Sequence, residues 1–187
     1  MVEGYPGPWN GILTRLIKRE GGYVNDALDL GKATKFGVTA ATWADYCQET
    51  GRSWCHVSQI TEADAAAVYW RNYVGHPNLR LDEIGRAPTL LELALDTACL
   101  FGPDRAGRWL QEAVNTVRPK SKLVVDGKIG PKTREALKAC KVGPVAAQIV
   151  AARVRHHVDR CIKRPDQVRF LRGWTNRALE WLGKTVR

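Results

Sequence analysis

The sequence is short of several things that a chain of 187 residues can use for chemistry. It has one methionine, three phenylalanines and four histidines, and its five cysteines form no CxxC pair. An odd, scattered set of cysteines argues against zinc and thioredoxin-like chemistry. Cys47, Cys55, Cys99, Cys140 and Cys161 lie in mostly apolar contexts. They read as reduced, packed thiols of a cytoplasmic protein, with a Cys47–Cys55 disulfide as the alternative. No apolar run reaches membrane-spanning length, and the N-terminus has no apolar signal-peptide core. There is no phosphate-cradling glycine loop, no Ser/His/Asp or Cys/His arrangement and no recognisable DNA-binding motif, so neither a cofactor nor a nucleic-acid partner is expected. His156 and His157 are adjacent, and neighbouring helix positions point about 100° apart, so no metal site is expected there either. The pair is assigned to a surface or interface.

The second half also lacks acid. Residues 101–187 hold 20 basic against 7 acidic residues, a net of +13. Residues 1–100 hold 9 against 12, a net of −3, and the whole chain carries +10. The basic half should draw in an anionic polymer: nucleic acid, anionic lipid, lipopolysaccharide and bacterial wall polymers all qualify, and charge alone does not choose.

What is present is mostly helical pattern. Trp9, Ile12, Leu13, Leu16 and Ile17 fall on one face of a helix over Trp9–Arg19, ended by Gly21-Gly22. Residues 21–38 read as an irregular loop or short hairpin strands. Further helices are expected at about 40–49, 62–74, 90–100, 104–117, 131–140, 144–163 and 168–182. Thr61 with Asp64, and Thr89 with Glu92, have the spacing of capping boxes. Pro103 and Pro131 suit first helical turns. The expected fold class is mainly α, with one small β-hairpin or loop element near the N-terminus. In the C-terminal stretch, Ile149, Val154, Val158, Ile162, Phe170, Leu171, Trp174, Leu179 and Leu182 form an apolar stripe whose usual destination is the core. The sharper reading gives that basic, amphipathic surface a contact with anionic lipid or lipopolysaccharide.

The candidate chemistry lies between Glu20 and Thr39. Glu20 ends a helix, where the macrodipole disfavours negative charge. Partial burial there would raise its pKa towards that of a general acid. Glycosidic cleavage needs such an acid, and usually a second carboxylate as nucleophile or base. Asp29 is the candidate partner and Asp26 the alternative, while the Thr34 hydroxyl would orient a water. The same residues also fit a solvated helix end followed by turn-forming aspartates.

The string resembles the signature of glycoside hydrolase family 108, written E-G-G-Y-x-N-D-P-x-D-x-G-G-x-T-x-x-G-I/V-T. Glu20, Gly21, Gly22, Tyr23, Asn25, Asp26, Asp29, Gly31, Thr34, Gly37, Val38 and Thr39 match it; Ala27 and Lys32 depart from it. Downstream, Ala67–Tyr73, Leu95–Ala98, Trp109–Gln111, Asp126–Thr133 and Phe170–Arg177 continue the resemblance, with Leu100 in place of a common Asn. The resemblance implies a lysozyme-like helical fold and an endolysin of phage or prophage type. Residues 1–95 would be the catalytic region, and residues 96–187 a helical peptidoglycan-binding region packed on it, with one compact domain as the alternative. It implies hydrolysis of the β-1,4 bond between N-acetylmuramic acid and N-acetylglucosamine, with Glu20, Asp29 and Thr34 catalytic. Tyr23, Asn25, Asp26 and Asp96 would contact substrate. The expected protein is a monomer held in the host cytoplasm until another factor releases it to the wall. The alternatives are a lytic transglycosylase and a non-catalytic wall-binding or secretion accessory protein.

Overall fold

The computed structural model of the chain describes residues 2–25, 33–85 and 87–185. Eight α-helices and one small three-stranded antiparallel sheet lie among these residues, matching the mainly α class expected. The chain divides into two units, Met1–Val74 and Gly75–Arg187. The family resemblance places a boundary at 95/96, which falls inside a helix of the second unit.

In the first unit, α1 (Trp9–Glu20) buries Trp9, Ile12, Leu13, Leu16 and Ile17, the face that the spacing indicates. Each such side chain contributes about 1.5–3 kcal/mol relative to exposure. Strands β1 (Tyr23–Val24), β2 (Thr34–Lys35) and β3 (Val38–Thr39) pair antiparallel in that order. Thr39 then caps α2 (Ala40–Thr50), its hydroxyl accepting from the Thr42 N–H at 3.1 Å. Helix α3 (Glu62–Tyr69) opens with the Thr61–Asp64 capping box, both halves of which form. The expected helix over 62–74 does not stay α: Trp70–Val74 widen into a π-helical turn. There Trp70 packs against Tyr5 at 4.8 Å and edge-on to Trp9 at 6.0 Å between ring centroids.

The second unit contains α4 (Pro88–Phe101), α5 (Pro103–Val117), α6 (Pro131–Lys138), α7 (Val142–Lys163) and α8 (Val168–Thr185). Three of these helices begin on a proline, whose φ is already helical and whose missing N–H would be unpaired in any case. This corrects the expected capping box at Thr89: α4 starts at Pro88, so Thr89 lies inside the first turn and Ala87 holds the cap position without a side-chain bond.

A turn after α5 is tied to that helix by Gln111. Its Nε2 donates to Asp126 Oδ1 at 2.8 Å and to the Lys128 carbonyl at 3.0 Å, while its Oε1 accepts from the Gly127 N–H at 2.8 Å. A Cβ on Gly107 would run into the Gly127 carbonyl, so two backbones meet there at glycine distance. Hydrogen bonds from Gln111 and from the Lys128 N–H hold the Asp126 carboxyl below its ordinary pKa.

The apolar stripe of the C-terminal half is only partly core. Ile149 is buried, whereas Val158, Ile162, Phe170 and Leu179 are exposed. Towards its C-terminal half α7 buries Arg153, His157 and Cys161, and α8 buries Ala178 and Trp181. Among the described residues no helix is long and apolar enough to cross a membrane. All five cysteines are free thiols. Burial, then the neighbouring Cys55, pushes the Cys47 thiol up.

Candidate active site

Three local devices bring the motif residues of the first unit together. The β2–β3 hairpin has a two-residue loop, Phe36-Gly37, with Lys35 paired to Val38 across it. Both loop residues have positive φ, 52° and 74°, the type I′ geometry whose twist suits a hairpin. The Phe36 N–H donates to the Gly21 carbonyl at 3.1 Å, fastening the hairpin tip to the end of α1. From α3, the Tyr69 hydroxyl donates to the Phe36 carbonyl at 2.9 Å.

Gly37 lies where these three meet. A Cβ there would collide with the Tyr69 hydroxyl and lie 3.1 Å from both Cβ and Cγ of Glu20. The stem of Glu20 therefore rests on the hairpin turn, next to Tyr69. Glu20 itself is exposed, which corrects the expectation of partial burial. The turn lies against the aliphatic part of the side chain.

The matched motif residues now separate by role. Val38 is buried in the core, Thr39 caps α2, and Gly37 admits Glu20 and Tyr69. Tyr23 and Asn25 are exposed, and Tyr23 meets the His56 ring edge-on at 6.3 Å. Thr34 lies half-buried on β2, paired with Val24 on one side and Thr39 on the other. Lys35 donates to the Ser58 carbonyl at 2.7 Å, which ties the sheet to the segment carrying His56. Asp26 and Asp29 lie outside the described residues.

Tyr69 and Tyr73, whose rings are 6.0 Å apart, were not singled out by sequence reasoning as site residues. The paired aromatics ending Ala67–Tyr73 were the available signal, but helical spacing does not say what an aromatic faces.

Asp96 does not reach the surface. It is fully buried in the second unit, between Arg177 at 2.8 Å, Arg153 at 2.8 Å and the Trp181 indole N–H at 3.2 Å. A carboxylate so enclosed serves as an internal anchor between α4, α7 and α8, rather than as the substrate contact expected from the resemblance. His157 also departs from the assigned surface role. It is buried, stacked on Trp174 at 4.9 Å, and burial pushes its pKa down to about 4. Among the described residues no group of three or more His, Cys, Asp or Glu could hold a metal ion. In the second unit, a concavity of about 1010 Å³ lies beside the Asp126–Gly127 turn, bordered by Gln111, Lys122, Asp126, Lys128 and Thr133.

Residues 13–102 match the family glycosyl hydrolase 108, and residues 105–179 match a predicted peptidoglycan domain. By its N-terminal region the chain belongs to the glycosyl hydrolase 108 family. It is a glycoside hydrolase region joined to a peptidoglycan domain, with peptidoglycan-degrading activity and peptidoglycan as its partner. No curated protein matches the chain. Among solved structures it is similar to SagA of Brucella abortus, with a TM-score of 0.70 and 24% identity, covering 97% of this chain and 95% of that one. That likeness extends the fold over both the glycosyl hydrolase 108 region and the peptidoglycan domain.

Proposed function

We propose that the chain is a lysozyme-type N-acetylmuramidase, with Glu20 as the general acid. It would cut the β-1,4 bond between N-acetylmuramic acid and N-acetylglucosamine. The observation that carries this reading is the setting of Glu20, in the family-matched region. Its stem rests against the Gly37 turn, and the residue is exposed, within reach of a polymer too large to enter a closed pocket. General acid catalysis needs a carboxylic acid presented at the leaving oxygen, and an exposed glutamate whose stem is placed by a rigid turn suits that role. Asp29, carried by the resemblance with Asp26 as its alternative, would serve as the second carboxylate. Thr34 would position the water, and Tyr23 and Asn25, both exposed on or next to β1, would line the glycan path.

The same reading makes the protein a monomeric, bacteriolytic endolysin of phage type, released from the host cytoplasm to the wall by another factor. The exposed apolar and basic end of α7 and α8 supports a contact with anionic lipid or lipopolysaccharide during that passage. Val158, Ile162, Val168 and Phe170 are exposed beside Arg160, Lys163, Arg164, Arg169 and Arg172.

Digestion of purified peptidoglycan by wild type and Glu20→Gln, with analysis of the new ends, tests the proposal. The expected products end in reducing N-acetylmuramic acid, and a folded Glu20→Gln protein should lose roughly 10²–10⁴-fold in rate. Anhydromuramoyl ends would make the protein a lytic transglycosylase. Binding of peptidoglycan with no turnover by wild type would make it an accessory wall-binding protein.

A further inference from the structure

The second unit holds a cavity of about 270 Å³ lined by four arginines and by the imidazoles of His156 and His157. Arg105, Arg153, Arg160 and Arg177 line it, with Phe101 and Trp174 as aromatic walls. Among the described residues no carboxylate lines it. Arg153 and Arg177 both contact Asp96, at 2.8 Å each. Arg153 has no exposed surface of its own, and its guanidinium is set over the Phe101 ring at 5.6 Å. Arg160 is set over the Trp174 ring at 5.3 Å. The rim continues into a second, more open concavity where Lys163 and Arg164 join Arg105, Arg160 and Asp159, with Arg164 itself paired to Asp166 at 3.1 Å.

Three features of this cavity restrict what it takes. Planar guanidinium groups, pre-oriented by aromatic faces and by Asp96, match a carboxylate in a two-point contact better than a neutral hydroxyl. The volume lies just below the range usual for small-molecule sites, so it admits a chain end rather than a glycan strand. Phe101, Trp174 and the buried His157 give it apolar walls that suit a small aliphatic side chain next to the charge. Burial, followed by the positive fields of Arg105 and Arg160, holds His156 below its ordinary pKa, in keeping with a cation-rich enclosure.

We infer that this cavity is a carboxylate-capturing subsite for the free end of the peptidoglycan stem peptide, a short peptide terminating in small residues. Capture of a chain-terminal carboxylate is a recurring recognition mode. The inference rests on peptidoglycan being the partner. It assigns to the cavity of the second unit a ligand chemically different from the sugar cleaved at Glu20.

The test is calorimetric titration of the full chain with a soluble stem pentapeptide ending in D-Ala-D-Ala, and with the same peptide amidated at its C-terminus. Wild type should bind the acid roughly tenfold or more tightly than the amide, the loss expected for a charge-assisted contact. Arg105 and Arg160 are exposed, so Arg105→Gln/Arg160→Gln should keep the wild-type melting temperature while weakening binding of the acid by a similar factor. Equal binding of acid and amide, or undiminished binding by the folded double variant, would overturn the inference. Displacement of the peptide by inorganic phosphate at matching concentration would also overturn it, making the cavity a general oxyanion site. Digestion of whole peptidoglycan is measured in parallel. A wild type that digests peptidoglycan but ignores the peptide refutes the subsite alone, whereas one that neither binds nor digests peptidoglycan refutes the parent reading.

Discussion

At the scale of single residues, Gly37 shows how a backbone choice sets the position of a side chain distant in sequence. Its positive φ and the absence of a Cβ let the hairpin tip lie against the stem of Glu20 and beneath the Tyr69 hydroxyl. Gly37→Ala meets both a left-handed backbone penalty and the Tyr69 collision. The expected cost is about 1–3 kcal/mol in a urea melt, with a fall in peptidoglycan digestion beyond what the unfolded fraction explains. Wild-type activity in a stably folded Gly37→Ala protein would separate the hairpin tip from the chemistry. Asp96 shows the reverse case. The motif-level expectation makes it a surface contact, and the fold encloses it among Arg153, Arg177 and Trp181. Nothing in the four residues Leu95–Ala98 signals this, because its partners lie in α7 and α8.

At the scale of elements, the helices were legible because their causes are local. The α1 face, the Thr61–Asp64 box and the first-turn prolines each depend on neighbours within about four positions. The fate of the α7–α8 stripe was not legible, because a stripe indicates amphipathicity without naming what covers it. Four of its large apolar side chains are exposed near arginines and lysines. If that end of the helices meets anionic lipid, Ile162→Ser together with Phe170→Ser should reduce binding to phosphatidylglycerol vesicles several-fold. Both side chains are already exposed, so thermal stability should hold. Removing 165–187 is a poorer test, since it takes the buried Ala178 and Trp181 with it. Equal vesicle binding by the double variant and wild type would leave the patch without a membrane role.

At the scale of the whole molecule, stability and acidity are linked through His157. Its folded pKa of about 4 lies below the ordinary value of 6.5. The unfolded chain therefore takes up the proton first as pH falls. The stabilising effect of a neutral, buried imidazole is fully present above about pH 6.5 and is lost towards pH 4. The loss on acidification should be about 2 kcal/mol, less than the full shift implies because solvent screens part of it. Urea melts of wild type and His157→Phe at pH 7.5 and 4.5 check this. Wild type should lose more stability than the variant, and parallel losses would show that His157 does not titrate as described.

By itself the sequence determined where most helices lie, which face of α1 is buried, that a loop or hairpin element follows Glu20, and which family the Glu20–Thr39 string resembles. Each of these follows from short-range spacing, propensity or a contiguous motif. Only the tertiary structure decided that Asp96 is an internal anchor, that His157 is buried, that Glu20 stays exposed, and that four arginines share one cavity. The bonds from Arg177 and Trp181 to Asp96 span 81 and 85 residues. Contacts at that separation are chosen by how helices pack, which no local pattern records.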